Sequence, residues 1–270
     1  NNMPNRDPNA GSGLENAIEI AQAVRSRQVS AREIVDRALS RIHESDERLN
    51  AFVHVADKQA QQGADRIDRA IAQGEDVGPF AGVPFGVKDM DECAGMPTTY
   101  GSLIHKGRPP LKNDSIHIGR LRTAGAIPIG MTSCSEFGTV HFTHTKAWGT
   151  TRNPWNLDLT PGGSSGGSGA MVAAGVVPFA TAGDGGGSTR IPASFTGLVG
   201  MKPSYGRIPR EEPSTSQTAV WGALTRTVAD SARHLDITSG PHDRDRTSLP
   251  DSGISYERAA REFETNGLRA

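Results

Sequence analysis

Apolar residues recur at helical spacing through the opening stretch of the chain, which predicts amphipathic helices packed on something larger. Leu14, Ile18, Ile20, Ala21 and Val24 share one face over residues 14–27. Ser30 followed by Glu33 forms a capping box, and it opens a second helix that turns Ile34, Val35, Ala38, Leu39 and Ile42 inward. A strand-like NAFVHV (50–55) and a polar third helix over about 57–73 complete this region, which reads as packing and scaffold. From Phe80 the pattern changes. Apolar runs at Val83–Val87, Ala126–Met131 and Val176–Ala182 predict strands, and Ser115–Ala124, Gly166–Ala174 and Thr227–Thr238 predict helices. That alternation predicts the α/β class: a mixed β-sheet sandwiched by helices, with an N-terminal helical layer. No internal repeat is visible, and the polar end, Asp251–Ala270, stops on a helical pattern with no termination signal.

A length of 270 residues corresponds to one large domain or two ordinary ones. Such a chain buries roughly 70–75% of its unfolded surface. Hydrophobic content of 35% and charged content of 22% are those of a soluble globular protein. The formal net charge of −1 supplies no field for nucleic acid or an anionic membrane, and no apolar run is long enough to span a bilayer. The expected partner is therefore a small molecule, with a homo-oligomer left open. NNMPNRDPNAGSG lacks the apolar core of a secretory signal. Residues 1–14 read as a disordered or expression-derived N-terminus, with Met3 as a native start. Cys93 and Cys134 stand in unrelated settings without metal-ligand spacing, which points to a reducing cytoplasm.

Of the 32 glycines, the informative ones sit in two glycine-serine elements. The first is Pro161-Gly-Gly-Ser-Ser-Gly-Gly-Ser168, followed by the apolar AMVAAGVV; the second is Asp184-Gly-Gly-Gly-Ser188-Thr-Arg190. Both lie between apolar segments, which disfavours a flexible linker. Consecutive glycines let the backbone approach a ligand and line up free N–H groups as an anion nest. A phosphate loop would need GxxxxGK[ST], and no lysine follows either element; GxGxxG is absent too. A transient oxyanion beside the Ser188 hydroxyl is the better fit. GGSSG (162–166) spells the nucleophile elbow GxSxG, but NPWNLDLTP in front of it carries two prolines where that motif needs a strand.

A serine nucleophile needs a base. None of the eight histidines stands in a motif that pairs it with either serine, and the HFTHT spacing of His141 and His144 does not suit two metal ligands on one helix face. Lys88 ends the apolar GVPFGV and precedes Asp89. Taken alone it reads as a strand-end surface lysine. Emerging into a sheltered site, it would lose its proton more easily and serve as a base.

AGVPFGVKD (81–89), PGGSSGGSG (161–169) and GDGGGSTRIPASFTGLVGMKPSYGRI (183–208) stand in an order that resembles the amidase signature family. TRNPWN (151–156) and LTRTVADSA (224–232) resemble it as well, so the likeness runs over roughly residues 15–250. It implies a catalytic lysine at Lys88, an intermediate serine with a cis peptide at Ser164, and a nucleophile at Ser188, 24 positions later. It also implies an oxyanion hole from the backbone of Gly185, Gly186, Gly187 and Ser188. Asp184 and Arg190 match the acid and arginine that hold the turn beside the nucleophile, and Ser165 is expected to hydrogen-bond locally. No metal and no cofactor is implied. The expected activity is that of a serine amidohydrolase acting on a small-molecule amide through an acyl-enzyme. Because family members run longer, residues 15–270 are expected to form an amidase signature domain without its C-terminal part.

This sequence departs from the family pattern in places. GMTSCSEFG (130–138) carries Met131 and Ser133 where a lysine and an asparagine are usual, and Gly183 and Gly185 replace a frequent threonine. Three rival readings remain within the resemblance. A glutamine-hydrolysing amidotransferase subunit continues with a string like Ser-Leu-Asp-Gln-Ile-Gly, where this chain has SQTAVWGALTRT (216–227). KAWGTTRNPWN (146–156) looks instead like the branch with cyclic nylon-oligomer hydrolases, pointing to a stand-alone enzyme for fairly apolar amides. A non-catalytic binding protein would lack one of the three catalytic residues, and none is lacking.

Overall fold

The helical period of the opening stretch becomes three helices, α1 (Ala17–Arg25), α2 (Ala31–Leu49) and α3 (Asp57–Ala72), with β1 (Phe52–Val55) before the third. The computed structural model describes residues 15–211 and 216–263, so Leu14, the 1–14 segment and the last seven residues lie outside the described residues. Ser30 caps α2 as its spacing predicts. Its Oγ accepts the Glu33 N–H at 3.0 Å, and its own N–H donates to Glu33 Oε2 at 2.9 Å. Ser30→Ala is expected to cost about 1 kcal/mol. Urea titration should show this as a lower midpoint with an unchanged slope.

After Phe80 come β2 (Pro84–Lys88), α4 (Ile116–Thr123), β3 (Ile127–Thr132), a 3-10 turn (Glu136–Gly138) and the hairpin β4 (His144–Thr145) and β5 (Gly149–Thr150). The chain continues through α5 (Gly166–Ala173), β6 (Phe179–Asp184), α6 (Arg190–Thr196), β7 (Val199–Gly200), β8 (Val220–Thr225), α7 (Val228–Thr238) and α8 (Tyr256–Arg261). Among the described residues six strands form one sheet in the order β1-β3-β2-β6-β8-β7. β2 runs parallel to both β3 and β6, while the outer pairings are antiparallel. The sheet is thus mixed, and its central strand β2 is buried along its whole length.

Side chains alternate across the sheet and meet helices on both sides. On one side Phe179 stacks on Phe80 and Phe85, with ring centroids 5.0 and 5.1 Å apart, and meets His234 of α7. On the other, Ser168 of α5 shares a 2.7 Å hydrogen bond with Thr132 Oγ1 and donates to the Thr181 carbonyl at 2.8 Å. Space on this side is so short that Gly86 in β2 has no room for a side chain. A Cβ there would stand 2.7 Å from Thr132 Cγ2.

The strands sit slightly later than the apolar runs suggest. β2 extends to Lys88 and β3 to Thr132, and β6 begins at Phe179, after Gly175 (φ 74°) and Pro178 have turned the chain out of α5. The 3-10 turn, β4, β5 and β7 were not predicted, and neither were the longer β8 and α6. β8 carries Gly222 in its interior, which weakens any local strand signal, and it is defined by its pairing with β6 from Phe179↔Thr225 to Asp184↔Val220. α6 is short and holds Pro192 in its first turn, where proline is tolerated.

Candidate active site

Lys88 is the last residue of β2, opposite Thr132 of β3. Its N–H donates to Thr181 Oγ1 at 2.9 Å, which locks the strand end to β6. The side chain is 2% exposed, and its Nζ donates to Ser164 Oγ at 2.8 Å. Burial pushes the Lys88 ammonium down to about 8, with the carboxylates of Asp184 and Asp91 opposing that shift. The surface-lysine reading is thereby excluded. Lys88 is a buried amine bonded to a buried hydroxyl.

Ser164 follows a cis peptide from Gly163. Its carbonyl accepts the Ser135 N–H at 3.2 Å, so the first glycine-serine element is sewn to the segment after β3. The residues ahead of it form a loop, not a strand, so the GxSxG spelling has none of the elbow's context. Ser165 bridges to the second element. Its N–H donates to the Ser188 carbonyl at 3.3 Å, and its hydroxyl accepts the Gly183 N–H at 3.4 Å. That hydroxyl contact spans 18 residues, in place of the local bond expected. The Ser188 hydroxyl has no hydrogen-bond partner among the described residues, and the residue keeps 7% exposure. Ser164 and Ser188 are therefore on adjoining loops, with one hydroxyl held by Lys88 and the other free.

The turn that carries Ser188 is organised by Asp184. Its carboxylate accepts N–H groups from Gly187 (2.7 Å), Thr189 (3.2 Å) and Arg190 (3.2 Å), and a two-pronged contact from the Arg190 guanidinium at 2.9 and 3.0 Å. Burial alone would raise this carboxyl, but these donors override it and hold it at about 2. Arg190, with its side chain 54% exposed, fastens the turn from outside. Gly187 has φ 119°, and a Cβ there would fall 2.7 Å from Ile191 Cδ1, so both conformation and space demand glycine. Because the Gly187 N–H is committed to Asp184, the backbone donors of this stretch without a partner among the described residues are those of Gly185, Gly186 and Ser188. Gly185 and Gly186 are exposed. This narrows the donor set expected from the sequence.

The departures from the family pattern are accommodated by packing. Met131 is wholly buried in β3. Ser133 shares a 2.6 Å hydrogen bond with Thr151, and its carbonyl accepts the Gly167 N–H at 3.0 Å. Gly183 lies opposite Trp221 of β8, and a Cβ on Gly183 would come 3.2 Å from the indole. A threonine would press on that ring. The missing side chain on β6 is thus matched by a large one on β8.

Several contributors carried no sequence signal. Thr181 and Ser135 act through hydrogen bonds to distant residues, to the Lys88 N–H and the Ser164 carbonyl, that only the fold creates. Asp89, next to Lys88 and fully buried, accepts N–H groups from Thr99 (2.5 Å) and Gly101 (2.9 Å) and the Thr99 hydroxyl, fixing the loop after β2. Burial raises its carboxyl and those bonds oppose the rise. His117 and His234 form a buried chain with Asp91, at 2.7 Å from His117 to Asp91 and 2.9 Å between the rings. They lie across the sheet, against Trp221 and Phe179. Among the described residues no histidine is hydrogen-bonded to Ser164 or Ser188.

Known proteins resemble this chain over most of its length. A family model described as Amidase matches residues 33–268. A glutamyl-tRNA(Gln) amidotransferase subunit from Prochlorococcus marinus (strain MIT 9303) is 41% identical over 268 residues, covering 93% of this chain and 55% of the relative. The corresponding protein from Synechococcus sp. (strain CC9605) is 44% identical over 231 residues, covering 84% of this chain and 47% of the relative. The chain spans about half the length of the curated relatives it matches. Among solved structures, a bacterial aryl acylamidase of the amidase signature family superposes with a TM-score of 0.85 at 36% identity, covering 90% of this chain and 51% of that one. The 6-aminohexanoate cyclic dimer hydrolase superposes with a TM-score of 0.83 at 34% identity, covering 92% and 51%. Among the described residues no helix is long and apolar enough to cross a membrane.

Proposed function

Because this chain belongs to the amidase signature family, we propose that it is a serine amidohydrolase that cleaves a carboxamide through an acyl-enzyme on Ser188. The 2.8 Å bond from a buried Lys88 to Ser164 is the observation that carries this reading. A neutral Lys88 takes the Ser164 hydroxyl proton as Ser164 takes that of Ser188, and the freed Ser188 oxygen attacks the amide carbon. The N–H groups of Gly185, Gly186 and Ser188 receive the developing oxyanion. The carbon–nitrogen bond then breaks as Ser164 gives its proton to the leaving amine and regains one from Lys88. Water repeats the relay to release the acid. Asp184 and Arg190 hold the turn, and Ser165 joins it to the Ser164 loop. On this reading residues 15–270 are amidase-domain sequence.

The curated relatives support a second reading, a glutamine-hydrolysing amidotransferase component. We favour a stand-alone amidase for a small, fairly apolar amide. The structural neighbours include hydrolases of an aryl amide and a cyclic amide, and the SQTAVWGALTRT segment, with Trp221 over Gly183, departs from the amidotransferase pattern. The test is labelling with an alkyl fluorophosphonate, followed by peptide mapping and a screen of aryl amides, amino-acid amides, lactams and glutamine. The adduct is expected on Ser188, with turnover of aryl amides or lactams. Glutamine cleavage alone would favour the amidotransferase reading, and an adduct on Ser164 would overturn the assignment. In single replacements of each of the eight histidines, labelling is expected to reach completion; one that abolishes it while the fold survives would revive a histidine base.

A further inference from the structure

The loop between the 3-10 turn and β4 crosses both glycine-serine elements. It is clamped on either side of His141. Ser135 Oγ donates to the Val140 carbonyl at 3.0 Å, Thr143 Oγ1 donates to the Gly162 carbonyl at 2.9 Å, and the Thr151 N–H donates to the Thr143 carbonyl at 3.0 Å. Between the clamps the backbone lies directly on Gly163. A Cβ at Gly163 would stand 2.7 Å from the Phe142 nitrogen and 2.9 Å from the His141 carbonyl carbon. The imidazole of His141 reaches on to the second element, where its Nε2 lies 3.8 Å from the position a Cβ on Gly186 would occupy. Among the described residues no other atom comes within 4 Å of that position outside the adjoining ones. The ring is exposed and has no hydrogen-bond partner among the described residues.

We propose that His141 is a side-chain donor to the oxyanion, acting through Nε2 alongside the backbone N–H groups of Gly186 and Ser188. The His141 ring lies beside the Gly186 backbone, and neither the ring nor the Gly186 N–H has a hydrogen-bond partner among the described residues. An oxygen that gains negative charge there meets both, provided the imidazole carries a proton on Nε2. A role as the base for Ser188 fits less well. The ring faces Gly186, while the hydrogen bond that could drain a proton from the serines belongs to Lys88 and Ser164.

This inference rests on the assignment of Ser188 as nucleophile, and the experiment separates the two. The second-order rate constant for labelling by an alkyl fluorophosphonate, whose phosphonyl oxygen occupies the oxyanion position, is measured for the wild type and for H141F, H141Q and S188A. H141F keeps the ring volume and loses the nitrogen; H141Q keeps a donor. H141F is expected to label about 10- to 100-fold more slowly, less than the roughly 10²–10³ of an enclosed oxyanion donor because solvent reaches His141. H141Q is expected to recover to within about threefold of the wild type, with the thermal midpoint unchanged in both. Labelling of H141F at the wild-type rate, or of H141Q no faster than H141F, overturns the proposal. So does complete loss of labelling in folded H141F, which would make His141 the base. If S188A still labels, or the wild type does not, the nucleophile assignment fails and the inference falls with it.

Discussion

Ser188→Ala is expected to take up no fluorophosphonate and to turn over no amide, while Ser164→Ala and Lys88→Ala label slowly. The first change removes the attacking oxygen. In the proposed mechanism the other two leave it in place and cut the relay, Ser164 at its middle and Lys88 at its end, where Nζ donates to Ser164 Oγ at 2.8 Å. General acid–base help is worth about 10²–10⁴-fold, so each relay variant should lose a factor in that range. Once one link is broken the other has nothing to pass on. The Ser164→Ala/Lys88→Ala double variant should therefore be little slower than either single, in place of the product of the two losses. Rates from intact-mass spectrometry would measure this. Labelling of Ser188→Ala together with silence of Ser164→Ala would move the nucleophile to the first glycine-serine element.

The pH dependence should report Lys88. An unperturbed lysine loses its proton at about 10.4, but burial pushes Lys88 down to about 8. The relay needs the neutral amine. Below about 8 the protonated form dominates, and the labelling rate constant should fall about tenfold for each unit of pH. Above it the rate should level off, since the amine is already free. The carboxylates of Asp184 and Asp91 oppose the downward shift. Asp91→Asn, which removes one negative charge while keeping a hydrogen-bonding side chain for His117 and Ser115, should therefore move the acid limb to lower pH. In Lys88→Ala the limb should disappear. A wild-type profile that stays level from about pH 6 to 9 would rule out Lys88 as the base.

Much of the frame was legible because its signals are local. The capping box at Ser30, the apolar faces of α1 and α2, and the buried runs that became β2 and β3 depend on residues a few positions apart, the range over which helix and strand periodicity acts. β8 was hidden because Gly222 breaks its pattern and its identity as a strand comes from pairing with the distant β6. α6 was hidden for a related reason: it is short, contains Pro192, and follows a glycine-rich turn that Asp184 holds in place.

The site divides along the same line. The resemblance of the ordered motifs to the amidase signature family implied Lys88, Ser164 and Ser188, and glycines ahead of Ser188 are a signal that a backbone comes close to something. The sequence by itself thus determined which atoms are available: an amine at the end of an apolar strand, two hydroxyls, and a run of unencumbered N–H groups. It could not say what those atoms meet. That Lys88 is buried and bonded to Ser164, that Gly187 spends its N–H on Asp184, that Trp221 fills the space over Gly183, and that His141 faces Gly186 were decided by tertiary structure. The physical reason is one of range. Burial and hydrogen bonding set the proton affinity of a lysine, and the groups that hold Lys88 lie 76 and 93 positions further along the chain, where sequence periodicity carries no information. The Gly187 N–H has its acceptor only three positions away, yet the same carboxylate is also held by the Arg190 guanidinium, a contact that no helix or strand period specifies.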